Sequence, residues 1–336
     1  MGVRSPDGVR FDVVGIGNAI VDVLAHADDA TLSRLGLKKG AMTLIDASEA
    51  EALYKRMGPG IECSGGSAAN TIAGIASLGG STAFIGKVKD DQLGQVFQHD
   101  IRALGVRYDT PAADGGPATA RCLVFVTPDA QRTMQTYLGA CVELGHEDID
   151  PATVASAKVT YLEGYLWDPP RAKEAIVKAC EIAHRNGRKI ALSLSDPFCV
   201  NRHRVEFRKL IADHVDVLFA NEQEIMALYE VPGFDAALQA VRGNVEVAAL
   251  TRSEKGSVVL HDSEVHVIDA APVVKVVDTT GAGDLYAAGF LHNFTRGRDM
   301  ASCGRLASLC AAEIIGHVGA RPETSLAELA KAANLI

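Results

Sequence analysis

Short apolar segments alternate with longer amphipathic ones through the second half of the chain. Residues 159–162, 190–194, 215–219 and 245–250 are brief and mostly apolar, as strands buried on both faces are. Between the first two, residues 171–186 bring Ile176, Ala179, Cys180 and Ala183 onto one helical face. Gly187 follows where a helix end favours glycine. Such alternation predicts an α/β protein, a parallel sheet with helices on both faces joined by right-handed crossovers. Ligands of these sheets bind beyond the carboxyl ends of the strands. The first half is mixed. A strand is expected at 11–15 and an amphipathic helix at 92–104, through Leu93, Phe97, Ile101 and Leu104. Residues 22–47 and 107–139 break the rhythm, with strand-like segments at 42–45, 120–126 and 133–138 and no long helix between them. They predict a small β-rich subdomain made of two insertions. No repeat, low-complexity tract or Ser/Gly/Pro linker divides the chain, so residues 1–336 read as a single domain carrying that subdomain.

Composition narrows the partners. Of 336 residues, 48% are hydrophobic and 22% charged, as in an ordinary globular chain. Lys and Arg number 33 against 42 Asp and Glu, a net charge of −9, which argues against a nucleic-acid groove or a basic membrane surface. No apolar run reaches the roughly 18 residues of a membrane span. The polar N-terminus (residues 1–10) lacks a leader core, so a cytoplasmic protein is expected. The 7 cysteines form no CxxC pair, and the 10 histidines show no HxxxH or HExxH spacing, so neither a disulfide framework nor a metal cage is indicated. Cys303 and Cys310, on a predicted helix, read as core packing.

Three glycine clusters carry candidate chemistry. Gly15-Ile16-Gly17-Asn18 follows a strand, but Ile20 stands where a dinucleotide fingerprint needs its third glycine. Asn18 and Asp22 instead place polar side chains at the end of the first strand. No GxxxxGK[ST] loop occurs. The second cluster, Ser64-Gly65-Gly66-Ser67-Ala68-Ala69-Asn70, opens a helical pattern. Its glycines allow close backbone approach to a ligand, or simply make a tight helix-capping loop. The third, Asp278-Thr279-Thr280-Gly281-Ala282-Gly283-Asp284, follows a strand expected at 273–277 and opens a helix at 285–295. Gly281, Ala282 and Gly283 would present successive N–H groups at the positive end of the helix, an anion-binding arrangement. Phosphate there repels Asp284, which makes sense as a base taking a proton from a hydroxyl while the amides stabilise a transferring phosphoryl. Taken alone, it is also an ordinary helix N-terminal acid.

Residues 278–284, together with Gly65, Gly66 and Asn70, resemble the two signatures of the PfkB (ribokinase-like) family of carbohydrate and nucleoside kinases, a likeness running from Phe11 to about Pro322. It implies a ribokinase-like three-layer α/β/α fold with a mostly parallel central sheet, the two β-rich insertions forming a lid. It implies ATP as co-substrate with Mg²⁺, Asp284 as the base, and Gly281, Ala282 and Gly283 as the anion hole. Asn221-Glu222-Gln223-Glu224 matches the family's NxxE element, in which Asn221 and Glu224 would position Mg²⁺ and the nucleotide phosphates mostly through water. Without the resemblance they read as a helix cap. Thr251 and Gly256 match a nucleotide-side TxGxxG element, with Ser253 replacing the middle glycine. Asp278 and Thr280 match positions that hold a monovalent cation such as K⁺ in several relatives.

The acceptor side resembles the adenosine kinase branch. Asn18 and Asp22 match an Asn-x-x-x-Asp element whose aspartate grips ribose hydroxyls. By the same comparison Gly65, Gly66 and Asn70 line the acceptor. Cys122 would touch base or ribose, Arg132 would neutralise the γ-phosphoryl, and Phe198 would stack on the base. Leu166 and Trp167 would add apolar wall. Residues 86–91, Gly-Lys-Val-Lys-Asp-Asp, follow a pattern common among the family's sugar kinases. The expected reaction is phosphorylation of the primary 5′-hydroxyl of a purine nucleoside, adenosine to AMP. A sugar kinase, a guanosine or inosine kinase, and a non-catalytic nucleoside-binding protein are the alternatives. A homodimer is left open, and neither nucleic acid nor membrane is an expected partner.

Overall fold

Period-two alternation of apolar side chains along central strands feeds two cores at once, and the architecture follows from it. The structure, a computed structural model, describes residues 8–129 and 131–336; residues 1–7 of the polar N-terminus lie outside the described residues. Its first strands are β1 (Phe11–Ile16), β2 (Ile20–His26), β3 (Met42–Leu44), β4 (Ile61–Gly65), β5 (Thr82–Ile85), β6 (Arg107–Tyr108), β7 (Ala120–Val126) and β8 (Arg132–Tyr137). The later ones are β9 (Ala157–Glu163), β10 (Lys189–Ser193), β11 (Val217–Asn221), β12 (Val247–Thr251), β13 (Ser257–His261) and β14 (Glu264–Ile268). The large sheet runs β14-β13-β12-β11-β10-β9-β1-β5-β6, parallel except for the β12–β13 and β13–β14 pairings.

Along β1, Val13 faces one core while Val14 and Ile16 face the other; Tyr161 and Leu162 of β9 divide in the same way. The Val13 side is covered by helices Ser67–Ser77, Ala282–Phe294 and Met300–Ile314, the last burying Cys303 and Cys310. The other side is covered by helices Pro170–Arg185 and Pro197–His214. The three-layer α/β/α arrangement is therefore present. No helix among the described residues is long and apolar enough to cross a membrane.

A second sheet, β3-β8-β7-β2-β4, stands apart from the first. Its register sets Asp22 beside Cys122 and Cys122 beside Thr136, with Leu24, Val124 and Met134 next along the same face. Cys122, Val124 and Val126 cluster there with Ile20, Leu24, Met134 and Val318.

Several sequence expectations need correction. The first inserted segment begins at Ile20 and reaches Gly65, because Ile61–Gly65 pairs antiparallel with β2. Two short helices, Asp29–Leu35 and Ala47–Tyr54, lie within it. Arg107–Tyr108 pairs with β5 in the large sheet, so the second insertion starts later than residue 107. Residues 273–277 form no strand. Val274 and Val276 are exposed, and Val277 contributes a single backbone bond to Ile315. Apolar composition does not make a strand where no partner edge exists.

Candidate active site

The helices Ser67–Ser77 and Ala282–Phe294 meet at Gly74, where a Cβ would lie 2.7 Å from both Ala288 Cβ and Leu285 Cδ1. Only a glycine permits that approach, and it brings the N-terminal turns of the two helices together. Ser67 Oγ donates to Asp284 Oδ1 at 2.6 Å, and Asn70 Nδ2 donates to Oδ2 at 2.9 Å. Burial holds the Asp284 carboxyl above its ordinary range, against the pull of these two bonds and of the nearby Arg321 charge. Helix Ala282–Phe294 is capped by Gly281 at φ +78°. Ala282 N–H turns back to Thr279 O at 3.2 Å, whereas the amides of Gly281 and Gly283 have no partner among the described residues. The expected three-amide anion hole is thus reduced at Ala282. Open space lies beside Gly283.

On the opposite side, β4 ends at Gly65 under the Asp22 carboxylate, with Oδ2 only 2.3 Å from where a Cβ would stand. Gly66, at φ +97°, lies against Asn18 O, 2.2 Å from its would-be Cβ, so a side chain there meets both strain and a clash. Burial pushes Asp22 up to about 6, although Arg321 and Arg132 oppose it. Cys122 shares its face and accepts from Thr136 Oγ1 at 3.3 Å.

Arg132 and Asp278 differ from expectation. Both side chains are buried, and they form an ion pair with each other. Asp278 Oδ1 also accepts the Thr280 N–H at 3.0 Å, and Oδ2 accepts the Gly319 N–H at 3.1 Å. A guanidinium from the small sheet therefore occupies the carboxylate expected to hold K⁺, and the same arginine does not stand free for a γ-phosphoryl. Asn18 is also engaged. It is buried and gives its N–H and Nδ2 to Glu163 Oε1 at 2.8 and 2.6 Å. Glu163 Oε2 accepts the Ala68 N–H at 2.6 Å, cross-linking the strand end to the helix that carries Ser67 and Asn70. Burial, reinforced by the charge of Asp284, pushes Glu163 up to about 7 despite its three donors.

Asn221 and Glu224 form a reciprocal helix cap at the end of β11, with Asn221 Nδ2 donating to Glu224 Oε1 at 2.6 Å. Thr251 ends β12 directly beside Asn221. In the loop that follows, Ser253 takes φ +53° and Gly256 φ +78°, so the serine adopts the backbone expected of the missing glycine. Phe198 is 76% exposed and meets no other ring among the described residues. Trp167 packs into the core on the Val14 side of the large sheet. It is buried on Phe207, centroids 5.8 Å apart, and Nε1 donates to Glu206. The polar residues of 86–91 have structural partners: Lys87 pairs with Asp148 at 2.6 Å, Lys89 bonds Gly116 O, and Asp91 caps helix Gln92–Ala103.

Residues 42–326 match the family described as pfkB family carbohydrate kinase. The chain belongs to the PfkB family. As such it is a carbohydrate or nucleoside kinase, a phosphotransferase with an alcohol acceptor, and the family implies ATP as co-substrate. It is similar to the solved adenosine kinase of Sinorhizobium meliloti, at 56% identity over 97% of this chain and 100% of that one, TM-score 0.91. It is also similar to a probable sugar kinase protein of Rhizobium etli CFN 42, at 53% identity over 98% and 100%, TM-score 0.92. An adenosine kinase of Saccharomyces cerevisiae is 26% identical over 91% of this chain and 95% of its own length.

For this PfkB kinase the donor set suits a hydrated Mg²⁺. No group of three or more His, Cys, Asp or Glu among the described residues is arranged to hold a metal ion. Yet Glu224 is pushed up to about 7 by burial and by the charges of Asp196 and Asp284, crowding that a cation keeping its water shell would relieve. Three residues of the site escaped the sequence reading. Ser67 sits inside a recognised cluster, and Glu163 directly follows a predicted buried strand, a place where an unpaired acid is a signal. Arg321 has no local signal.

Proposed function

We propose that this PfkB kinase transfers the γ-phosphoryl of ATP to the primary 5′-hydroxyl of a purine nucleoside, with adenosine as the acceptor. The observation that carries the chemistry is Asp284, a half-buried carboxylate of raised pKa held by Ser67 and Asn70 in the first turn of a helix with free leading amides. Asp284 takes the hydroxyl proton, and the amides of Gly281 and Gly283 receive charge on the transferring phosphoryl. Asp22 accepts hydrogen bonds from the vicinal hydroxyls, and the face bearing Cys122 covers the acceptor. Mg²⁺, its water shell held by Asn221 and Glu224, would neutralise the nucleotide phosphates. Closure of the small sheet over the acceptor would exclude water.

The likeness to the Sinorhizobium adenosine kinase supports the nucleoside. The comparable likeness to the Rhizobium protein described as a probable sugar kinase supports a sugar acceptor as the second reading. A panel of adenosine, inosine, guanosine, ribose and fructose at saturating MgATP separates them. Phe198→Ala sharpens the test. Loss of base stacking, about 1–3 kcal/mol, should raise the adenosine dissociation constant roughly tenfold to a hundredfold and leave ribose unaffected. Equal effects on both, or none, would favour the sugar kinase.

Acceptor affinity should also follow the Asp22 carboxyl. An acid pushed up to about 6 stays protonated in the fold where the unfolded chain, at the ordinary aspartate value of 3.8, has lost its proton. Its contribution to stability therefore falls as pH rises through that window, while its ability to accept from hydroxyls appears in the same window. Acceptor KM should drop as pH climbs from about 5 to about 7. In Asp22→Asn that component should vanish, and an unchanged profile would remove Asp22 from acceptor binding.

A further inference from the structure

The segment after helix Met300–Ile314 touches both halves of the site. Gly319 N–H donates to Asp278 Oδ2 at 3.1 Å, and Ala320 Cβ lies 3.0 Å from where Gly281 would carry a Cβ. Arg321, the next residue, reaches the other half. Its Nε donates to Ser64 O at 3.1 Å, Nη2 to Ser64 Oγ at 2.9 Å and Nη1 to Ala69 O at 2.6 Å. Those acceptors bracket the Gly65-Gly66 turn and the start of the helix that presents Ser67 and Asn70. Among the described residues the guanidinium bonds no carboxylate, yet Cys63, Asp100, Asp22 and Asp284 all face it.

We propose that Arg321 is a positioning residue for phosphoryl transfer: it clamps the Gly65-Gly66 turn against the anion-hole loop and supplies positive charge to Asp284 and Asp22 without touching either. The inference rests on Asp284 being the base. The physical need is plain from its surroundings. Asp284 is faced by Asp22 from β2, Tyr161 and Glu163 from β9, Tyr165 beyond β9 and Glu224 from the helix after β11. Every one of these is neutral or negative, and among the described residues the cation acting on Asp284 is Arg321. Arg132 acts on Asp22 but is paired with Asp278. A desolvated base among like charges loses its ionised form unless a fixed cation opposes them. Hydrogen bonding to backbone on both sides of the turn keeps that cation in place while leaving both carboxylates free to accept from the substrate.

The test is the pH dependence of kcat at saturating MgATP and acceptor, which reports the base in the ternary complex. Arg321→Gln should move the acid limb upward by about one pH unit or more, because a single opposing charge at short range shifts a carboxyl by that order. Arg321→Lys, which keeps the charge and loses the clamp, should leave the limb in place and raise acceptor KM. An unmoved limb in Arg321→Gln, or equal displacement in Arg321→Lys, would overturn the proposal and leave a purely structural arginine. Arg321→Met, of similar volume, gives the same reading should Arg321→Gln not fold. Asp284→Asn run in parallel separates the two levels. If it retains turnover, the assignment of the base has failed; if it loses turnover while Arg321→Gln leaves the limb unmoved, this inference alone has failed.

Discussion

Asp284→Asn should lower turnover by roughly 10²–10⁴ with little change in acceptor affinity. The substitution preserves size and shape, and an amide can still engage Ser67 Oγ and Asn70 Nδ2, which now hold the carboxylate at 2.6 and 2.9 Å. What it cannot do is take the hydroxyl proton. The loss therefore belongs to the transition state, and kcat and kcat/KM should fall together. Steady-state rates and calorimetric acceptor binding on the same preparation check this. A variant with near-normal kcat would remove the base from the mechanism, and a variant that fails to bind acceptor would show that the carboxylate mainly shapes the pocket.

Arg132→Met should cost about 3–5 kcal/mol of stability, the range for breaking a buried ion pair from one side. It leaves Asp278 buried, with two backbone N–H donors from Thr280 and Gly319 but no counter-charge. Asp278→Asn removes the stranded charge as well, so the double variant should recover part of the loss, a non-additivity that a double-mutant cycle reads directly. Because the pair ties β8 of the small sheet to the anion-hole loop, hydrogen exchange should quicken in both segments and not in the core of the large sheet. Denaturant midpoints indistinguishable from the unaltered protein would show that the pair contributes nothing net.

The alternation of short apolar runs with helical ones determined the parallel layers from the sequence alone, because a buried strand and the helix covering it each leave a local signature. Residues 159–162 fall inside β9, while 190–194 and 171–186 match β10 and helix Pro170–Arg185 but overrun each at its C-terminal end by one residue. Gly65, Gly66 and residues 278–284 were legible for a similar reason. Turn glycines and a helix-opening acid declare themselves within a few positions. The small sheet was half legible. Residues 120–126 read as the strand they are, while β4, five residues ending in glycine, carries almost no propensity and exists because β2 offers it an edge. Conversely, 273–277 has the propensity and lacks the edge.

Partnership between distant side chains was decided by the tertiary structure. Arg132 meets Asp278, Asn18 meets Glu163, and Arg321 meets Ser64 and Ala69 across separations of well over a hundred residues, apart from nothing the intervening sequence encodes locally. An arginine's charge can be read from its letter. Whether that charge faces a phosphate, a carboxylate or a turn of backbone depends on which surfaces packing brings within about 3 Å, since hydrogen bonds and buried ion pairs act only at that range. Local chemistry in the sequence thus pointed to the proposed base, Asp284, and its helix terminus. The assignment of the surrounding charges to their partners came from the packing of two sheets and one C-terminal loop around them.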